Sequence, residues 1–378
     1  MLMDAFGNIP FALELTKPIQ ISRLEAYNWI EQELLEAEPN LMEAKAMKSS
    51  DKDYGCATKG ACWMLLARLY LNAEVYTGTA QWAKAAEYAN KVINANYQLN
   101  TVGANQWSAY QMLFMADNGE SSAALEAVFP ILQDGSTTTS WGGSLFVLAS
   151  TFDGNMHANP LDPNATNNTT EAWGGNRSRP ELVKKFFPNG DVPEGQSYYV
   201  AEAAGDDRAL FCTEERTLSV DKPTEFKNGF AVAKWTNFRS DNGATKNAQF
   251  PDTDFFLFRL AEAYLTVAEA DARQNGGTTS ATGTELINRL RQRAGATTKS
   301  AYTLDNIIDE WAREFYYEGR RRVDLIRFGL YGGNNAYKWQ WKGGAKDGTT
   351  FSADLNIYAI PSNEIATNSN LKQNPGYK

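Results

Sequence analysis

Apolar positions recur at helical spacing near both ends of this chain, and the spacing is lost in between. Leu24, Tyr27, Ile30 and Leu34 form one stripe. Ser22 with Glu25 reads as a capping box ahead of it, and Pro39 as its end. Two further helices are expected over about residues 57–75 and 80–95, joined by Tyr-Thr-Gly-Thr. Trp63, Leu66, Ala67 and Tyr70 on the first would face Trp82, Ala85, Tyr88 and Val92 on the second. Small residues alternating with aromatics suit a tetratricopeptide-like unit, with any antiparallel helix pair as the simpler alternative. One pair cannot bury both of its faces, so other helices must stack on it. Helical spacing returns over 255–273, 285–293 and 304–317, with Thr282 and Glu285 read as another capping box. The tail then packs back as extended segments through 351–361.

Between these parts, about residues 98–250, Gly, Asn, Thr and Ser dominate and apolar runs are short. Strands are expected at 126–132 and 230–235, and residues 155–176 read as a long polar loop of the kind that carries function. The expected fold is mostly α: tetratricopeptide-like helical repeats with a large loop-rich irregular insertion. It is read as one body, helical over 1–97, loop-rich and ligand-binding over 98–250, and helical again over 251–378.

Charge narrows the function. Asp and Glu number 45 against 36 Lys and Arg, a net charge of −9, which argues against nucleic acid and anionic membrane surfaces. The Arg320, Arg321, Arg322 triplet does not change this. In residues 309–329, five acidic side chains (Asp309, Glu310, Glu314, Glu318, Asp324) match five arginines, so the stretch reads as a self-compensated ion-paired element. Cys56, Cys62 and Cys212 form no C-x-x-C pair and are expected as free thiols. His157 is the only histidine, so a multi-histidine metal site is impossible. No run is long and apolar enough to span a membrane as a helix.

Candidate chemistry gathers in the loop-rich part. Trp141-Gly142-Gly143 follows a Thr/Ser run, and Trp173-Gly174-Gly175-Asn176-Arg177 closes the long loop. A tryptophan beside two glycines has little bulk over its ring, and an open indole face suits the polarised C–H face of a pyranose. Asn176 and Arg177 would then meet ring hydroxyls. The alternative is that both tryptophans anchor loops. Trp339 and Trp341, two residues apart, would face opposite sides of a strand, with core packing the favoured role. Glycoside hydrolysis needs a placed carboxylate pair. Asp153, Asp162 and Glu171 share the loop region, but no spacing fixes two of them on a rigid element. The P-loop, G-x-G-x-x-G and G-x-S-x-G motifs are missing, so no catalytic residue is assigned and the chain is read as a binding protein, not an enzyme. No cofactor is expected. Calcium is left open on the hard oxygens of Asp117, Asp252 and Asp254.

Four pieces in order carry a resemblance: F-R-L-A-E-A-Y-L-T-V-A-E-A at Phe258–Ala270, L-I-N-R-L-R-Q-R-A-G at 286–295, the 309–329 stretch, and Q-N-P-G-Y at 373–377. Together they resemble the SusD/RagB-type outer-membrane nutrient-binding lipoproteins of Bacteroidetes, over essentially the whole chain. A-A-G-D-D-R-A-L at 203–210, P-D-T-D at 251–254 and W-K-G-G at 341–344 resemble the starch-binding branch. The resemblance implies non-catalytic capture of an oligosaccharide, an α-glucan as in that branch, at the outward face of the outer membrane. It also implies delivery to a TonB-dependent SusC-like transporter. Trp141 falls on a position of the aromatic arc that is tyrosine in that branch, and Trp173 on one that is tryptophan. M-L-M-D-A-F-G-N-I-P-F resembles an internal family segment, so Met1 is read as an internal start. A signal peptide and the lipid-bearing cysteine of the membrane anchor are expected upstream. The rival readings are a glycoside hydrolase of the same pathway and a tetratricopeptide scaffold for peptides.

Overall fold

The computed structural model describes residues 1–159, 166–195 and 200–377. The structure is mostly helical, with three two-stranded sheets among the described residues. Its centre is the helix Leu260–Gln274, of whose 15 residues all but three are buried. Small residues at Ala261, Ala263, Ala268 and Ala272 let neighbours approach closely. Four helices use this: Lys59–Leu71, Trp82–Ile93, Ala281–Arg293 and Leu304–Phe315 all pack on it. The early and late helix pairs therefore stack directly, and one apolar core runs from Leu66 and Tyr70 through Leu265 to Trp311.

Local signals explain most boundaries. The Arg23–Ala37 helix starts with the expected capping box, Ser22 Oγ accepting from Glu25 N–H and the Glu25 carboxylate accepting from Ser22 N–H. Thr303 and Asn306 form a second such box at Leu304–Phe315. The box expected at Thr282 and Glu285 is not there. That helix begins at Ala281, with no side-chain cap bond from Ser280, and the Ser280 N–H is taken by the Asp271 carboxylate at 2.7 Å. The helix expected over 57–75 breaks at Asn72 into Lys59–Leu71 and Ala73–Thr77, where Asn72 accepts from Arg327. The tail holds a short 3₁₀ turn, Ala353–Asn356, in place of a continuous extended segment.

The helix expected to begin at residue 255 begins five residues later. Phe255–Arg259 is a strand, antiparallel to Ala127–Ile131 with Ala127 opposite Arg259 and Ile131 opposite Phe255. A short aromatic-rich apolar run satisfies either period, and pairing with a partner strand decided it. The strand expected at 230–235 shortens to Ala231–Val232, paired with Phe211–Cys212. Two aromatic cores hold the rest of the insertion. Trp107, Tyr110, Phe114, Phe152 and Trp235 build one, and Phe186, Phe211, Phe230 and Tyr316 the other.

The 309–329 stretch is ion-paired, but mostly not with itself. Glu310 and Glu314, one turn apart and fully buried, receive Arg208 from the insertion. Glu314 also takes Arg259 and Arg293, and Glu318 takes Arg259 and Lys234. Arg320 pairs chiefly with Glu262, and Arg322 with Asp4. Arg313 to Glu310, Arg327 to Asp324 and the longer Arg320 to Asp324 are the pairs that stay local. Burial alone would raise the Glu310 and Glu314 carboxyls; the arginines around them outweigh it and hold both well below the usual carboxylate range. The sequence count of five against five concealed this, because composition cannot show which partner lies across the fold.

Candidate functional site

Both W-G-G stretches converge on one short helix, Gly143–Ser150. The first leads into it. Gly143 has φ +60°, and a Cβ there would lie 3.1 Å from the Gln133 side chain, so the turn that releases Trp141 needs glycine. The second caps its far end, where backbone carbonyls lack helical partners. Ala149 O accepts from Trp173 N–H at 2.8 Å. Ser150 O accepts from Gly175 and Asn176 at 2.9 and 2.7 Å, and Phe152 O from Gly174 at 2.8 Å. Gly174, at φ +62°, makes that reversal possible.

The result is an aromatic patch on the surface. The Trp141 and Trp173 ring centroids lie 6.3 Å apart with planes inclined at 33°. Phe146, from the helix, approaches Trp173 edge-on at 6.2 Å, and Phe250 supports Trp141 edge-on at 5.5 Å. Trp141 is 54% exposed, Phe146 51% and Trp173 41%, values that leave ring area open in all three. Exposed aromatic surface of this kind, outside any core, makes the patch the candidate site. Trp173 Nε1 donates to Glu171 Oε2 at 2.8 Å, and Gln249 Nε2 donates to the other Glu171 oxygen at 2.8 Å. Those bonds, from Gln249 first and Trp173 second, hold the Glu171 carboxyl below its ordinary range. Chemically the patch offers bent apolar faces, with an ionised carboxylate and an amide beside them.

The other sequence candidates fall elsewhere or are already engaged. Asn176 stands at the helix end, its Nδ2 donating to Ser150 Oγ at 2.9 Å. Arg177 is not beside the rings. Its guanidinium donates to the carbonyls of Asn228, Gly175 and Pro223 at 2.7, 3.0 and 2.5 Å, and it lines a separate cleft. Trp339 and Trp341 are on no strand. Trp341 sits in left-handed backbone at φ +66°, and both half-buried rings line that same cleft, not a core. The i, i+2 argument failed because the following Gly343 and Gly344 turn the chain with positive φ.

Asp153 accepts from Arg216 at 2.8 Å, and Asp162 lies outside the described residues. The three carboxylates weighed for calcium hold loops. Asp117 accepts from the Ser240 N–H and hydroxyl, Asp252 from the Gly135 and Lys246 N–H groups, and Asp254 from Gln133 N–H and the Tyr54 hydroxyl. Among the described residues, no group of three or more His, Cys, Asp and Glu side chains is arranged to hold a metal ion. Cys56, Cys62 and Cys212 are free thiols. Phe146, Phe250 and Gln249 were missed from sequence. Phe146 sits in G-S-L-F-V-L-A-S, an apolar run with no clear period, and the other two come from a loop remote in sequence.

The comparisons agree with this architecture. The SusD family profile matches residues 194–377. The starch-binding protein SusD of Bacteroides thetaiotaomicron is 42% identical over 411 aligned residues, which take in all of this chain and 70% of that protein. Surface glycan-binding protein A from Bacteroides uniformis superposes with a TM-score of 0.67 at 21% identity, over 99% of this chain and 74% of that one. The same-named protein from Bacteroides thetaiotaomicron, in complex with laminarihexaose, gives 0.65 at 21% identity with the same coverage. A mostly helical fold shared across both full alignments, with 42% identity to one relative along the whole chain, places this chain in the SusD family.

Proposed function

We propose that this chain captures a neutral oligosaccharide, an α-glucan, on the Trp141–Trp173–Phe146 patch without chemically altering it. One observation carries the reading: two exposed indoles, held by backbone hydrogen bonds from both ends of one helix, lie 6.3 Å apart with planes inclined at 33°. Inclined rings present a bent surface, which suits the curvature of an α-linked glucan better than a flat ribbon. The whole-length similarity to a starch-binding protein supports the same ligand class. Against catalysis stands the state of the nearby carboxylates. Glu171 is held ionised by its two donors and is a poor general acid, and Asp153 is engaged by Arg216. By family membership we further propose that the protein works at the outward face of the outer membrane through a lipid anchor, and passes its sugar to a SusC-like TonB-dependent transporter. No helix among the described residues is long and apolar enough to cross a membrane. Calorimetric titration with maltoheptaose and, as the contrasting β-linked glucan, laminarihexaose tests the ligand class. Tighter binding of maltoheptaose, with no reducing sugar released on long incubation, is expected. Preference for laminarihexaose would overturn the α-glucan assignment, and sustained hydrolysis the non-catalytic one.

A further inference from the structure

A second concave site lies apart from the patch. It is a cleft of about 510 Å³ between the end of the Leu304–Phe315 helix and the 331–351 loop, a volume in the range of small-ligand pockets. One wall is aromatic. Tyr331 and Trp339 stack at 5.8 Å with planes 22° apart, Phe351 meets Tyr331 edge-on at 5.3 Å, and Tyr337 lies 6.2 Å from Trp339. The remaining lining is cationic. Seven Arg and Lys side chains face two carboxylates, in a chain whose overall balance is the opposite.

Structural ion pairing does not account for that charge. Arg177, Arg179, Arg321 and Lys342 have no carboxylate partner among the described residues. Lys342 is buried and its ammonium is fully used by Leu330 O, Asn335 Oδ1 and Tyr337 O. Arg321 uses one nitrogen on Ile308 O and one on the Tyr337 hydroxyl, which leaves it spare N–H groups, and Arg179 is exposed. Of the two carboxylates, Asp324 is taken by Arg327 and Arg320. Glu181 accepts from Gln340 N–H with one oxygen. Its other oxygen is shielded from solvent and has no hydrogen-bond partner among the described residues.

Backbone strain points to the same place. Six described non-glycine residues have positive φ. Three are asparagines, which tolerate it, and one is Glu215. The other two, Tyr317 at +59° and Trp341 at +66°, are bulky aromatics, and both line this cleft. Strain of this kind persists where the surroundings enforce it, and it gathers at functional sites.

We propose that this cleft is a second glycan site, specific for a carboxylated sugar: a hexuronate with its pyranose face on the Trp339–Tyr331 wall and its carboxylate on Arg179 and Arg321. The aromatic wall selects a ligand with an apolar face, which inorganic anions lack. The guanidinium pair selects a negative charge. The cleft shares no side chain with the Trp141–Trp173 patch, so either assignment stands without the other.

The test titrates the full chain with trigalacturonate at low salt, and with galactotriose, its uncharged counterpart. Trigalacturonate is expected to bind saturably and about tenfold or more tighter, with affinity falling as salt rises. Arg179→Gln, which removes an exposed side chain, is expected to leave the melting curve in place and weaken trigalacturonate about tenfold. Trp339→Ala should abolish binding, whereas Trp173→Ala should leave it unchanged. The proposal is overturned by equal affinity for the two trisaccharides, by no saturable binding at millimolar concentration, or by an Arg179→Gln protein that binds as the wild type does. Loss of trigalacturonate binding in Trp173→Ala, with Arg179→Gln unaffected, would assign the acidic sugar to the other patch and likewise overturn it.

Discussion

Replacing Trp173 by alanine separates a sugar platform from a loop anchor. The residue is 41% exposed. If a tryptophan side chain presents about 250 Å², roughly 100 Å² is open to a ligand, and one pyranose covering about 60 Å² of it contributes about 1.5 kcal/mol at 25 cal/mol per Å². That is a little over tenfold in affinity. The buried remainder belongs to folding, where truncating a half-buried ring costs about 2 kcal/mol, less than the roughly 3–5 kcal/mol of a fully buried one. In a chain of this size that lowers Tm by about 2.5 °C. An indole standing free of the fold would leave Tm unchanged; contact with Trp141 and Phe146 is what adds this cost. The same contact makes the two tryptophans non-additive. Trp141→Ala is expected to weaken binding about tenfold by the same area argument. The double variant should lose less than the sum, with a coupling of about 0.5–1.5 kcal/mol. Titration of maltoheptaose into the wild type, both single variants and the double, with a melting curve on each, measures every quantity named. Unchanged affinity together with a fall in Tm of about 5 °C or more would refute the platform and leave both rings as anchors.

Four further outcomes follow from the buried charges. Glu314→Gln leaves Arg259, Arg293 and Arg208 short of an acceptor and should cost about 3–5 kcal/mol in urea unfolding, with glycan affinity per folded molecule unchanged. Because Glu310 and Glu314 titrate lower in the folded chain than in the unfolded one, their contribution is complete above the ordinary glutamate value of about 4.5. It drains away as the pH falls below that, and Tm measured against pH should show it. Asp254 runs the other way. Burial, only partly offset by bonds from Gln133 and Tyr54, raises its carboxyl to about 6, so its contribution declines as pH climbs from about 4 to about 6, and Asp254→Asn should remove that slope. Chelation of divalent ions is expected to leave Tm in place, since Asp117, Asp252 and Asp254 already hold loop donors; a downward shift on chelation would restore the calcium reading.

The helical parts were legible in the sequence because their signals are local. A stripe at helical spacing and a Ser22–Glu25 box describe one element without reference to any other, and the Arg23–Ala37, Lys59–Leu71 and Trp82–Ile93 helices lie where those signals put them. The two W-G-G stretches were legible as well, since tryptophan beside glycine needs no partner to be noticed. That their rings meet was decided by the fold: a helix of eight residues, whose end carbonyls take the N–H groups of a segment arriving from beyond Thr166. Charge pairing was hidden for the same reason. Counting acids and bases in 309–329 balanced them locally, whereas Glu314 found Arg259, Arg293 and Arg208 across the core. Buried charges choose partners by proximity in a medium of low dielectric, not by position along the chain. Arg177 and Trp341 mark the limit most clearly. Each stands near glycines of positive φ, Gly174 for the one and Gly343 for the other, and both line a cleft that exists only once the chain has folded.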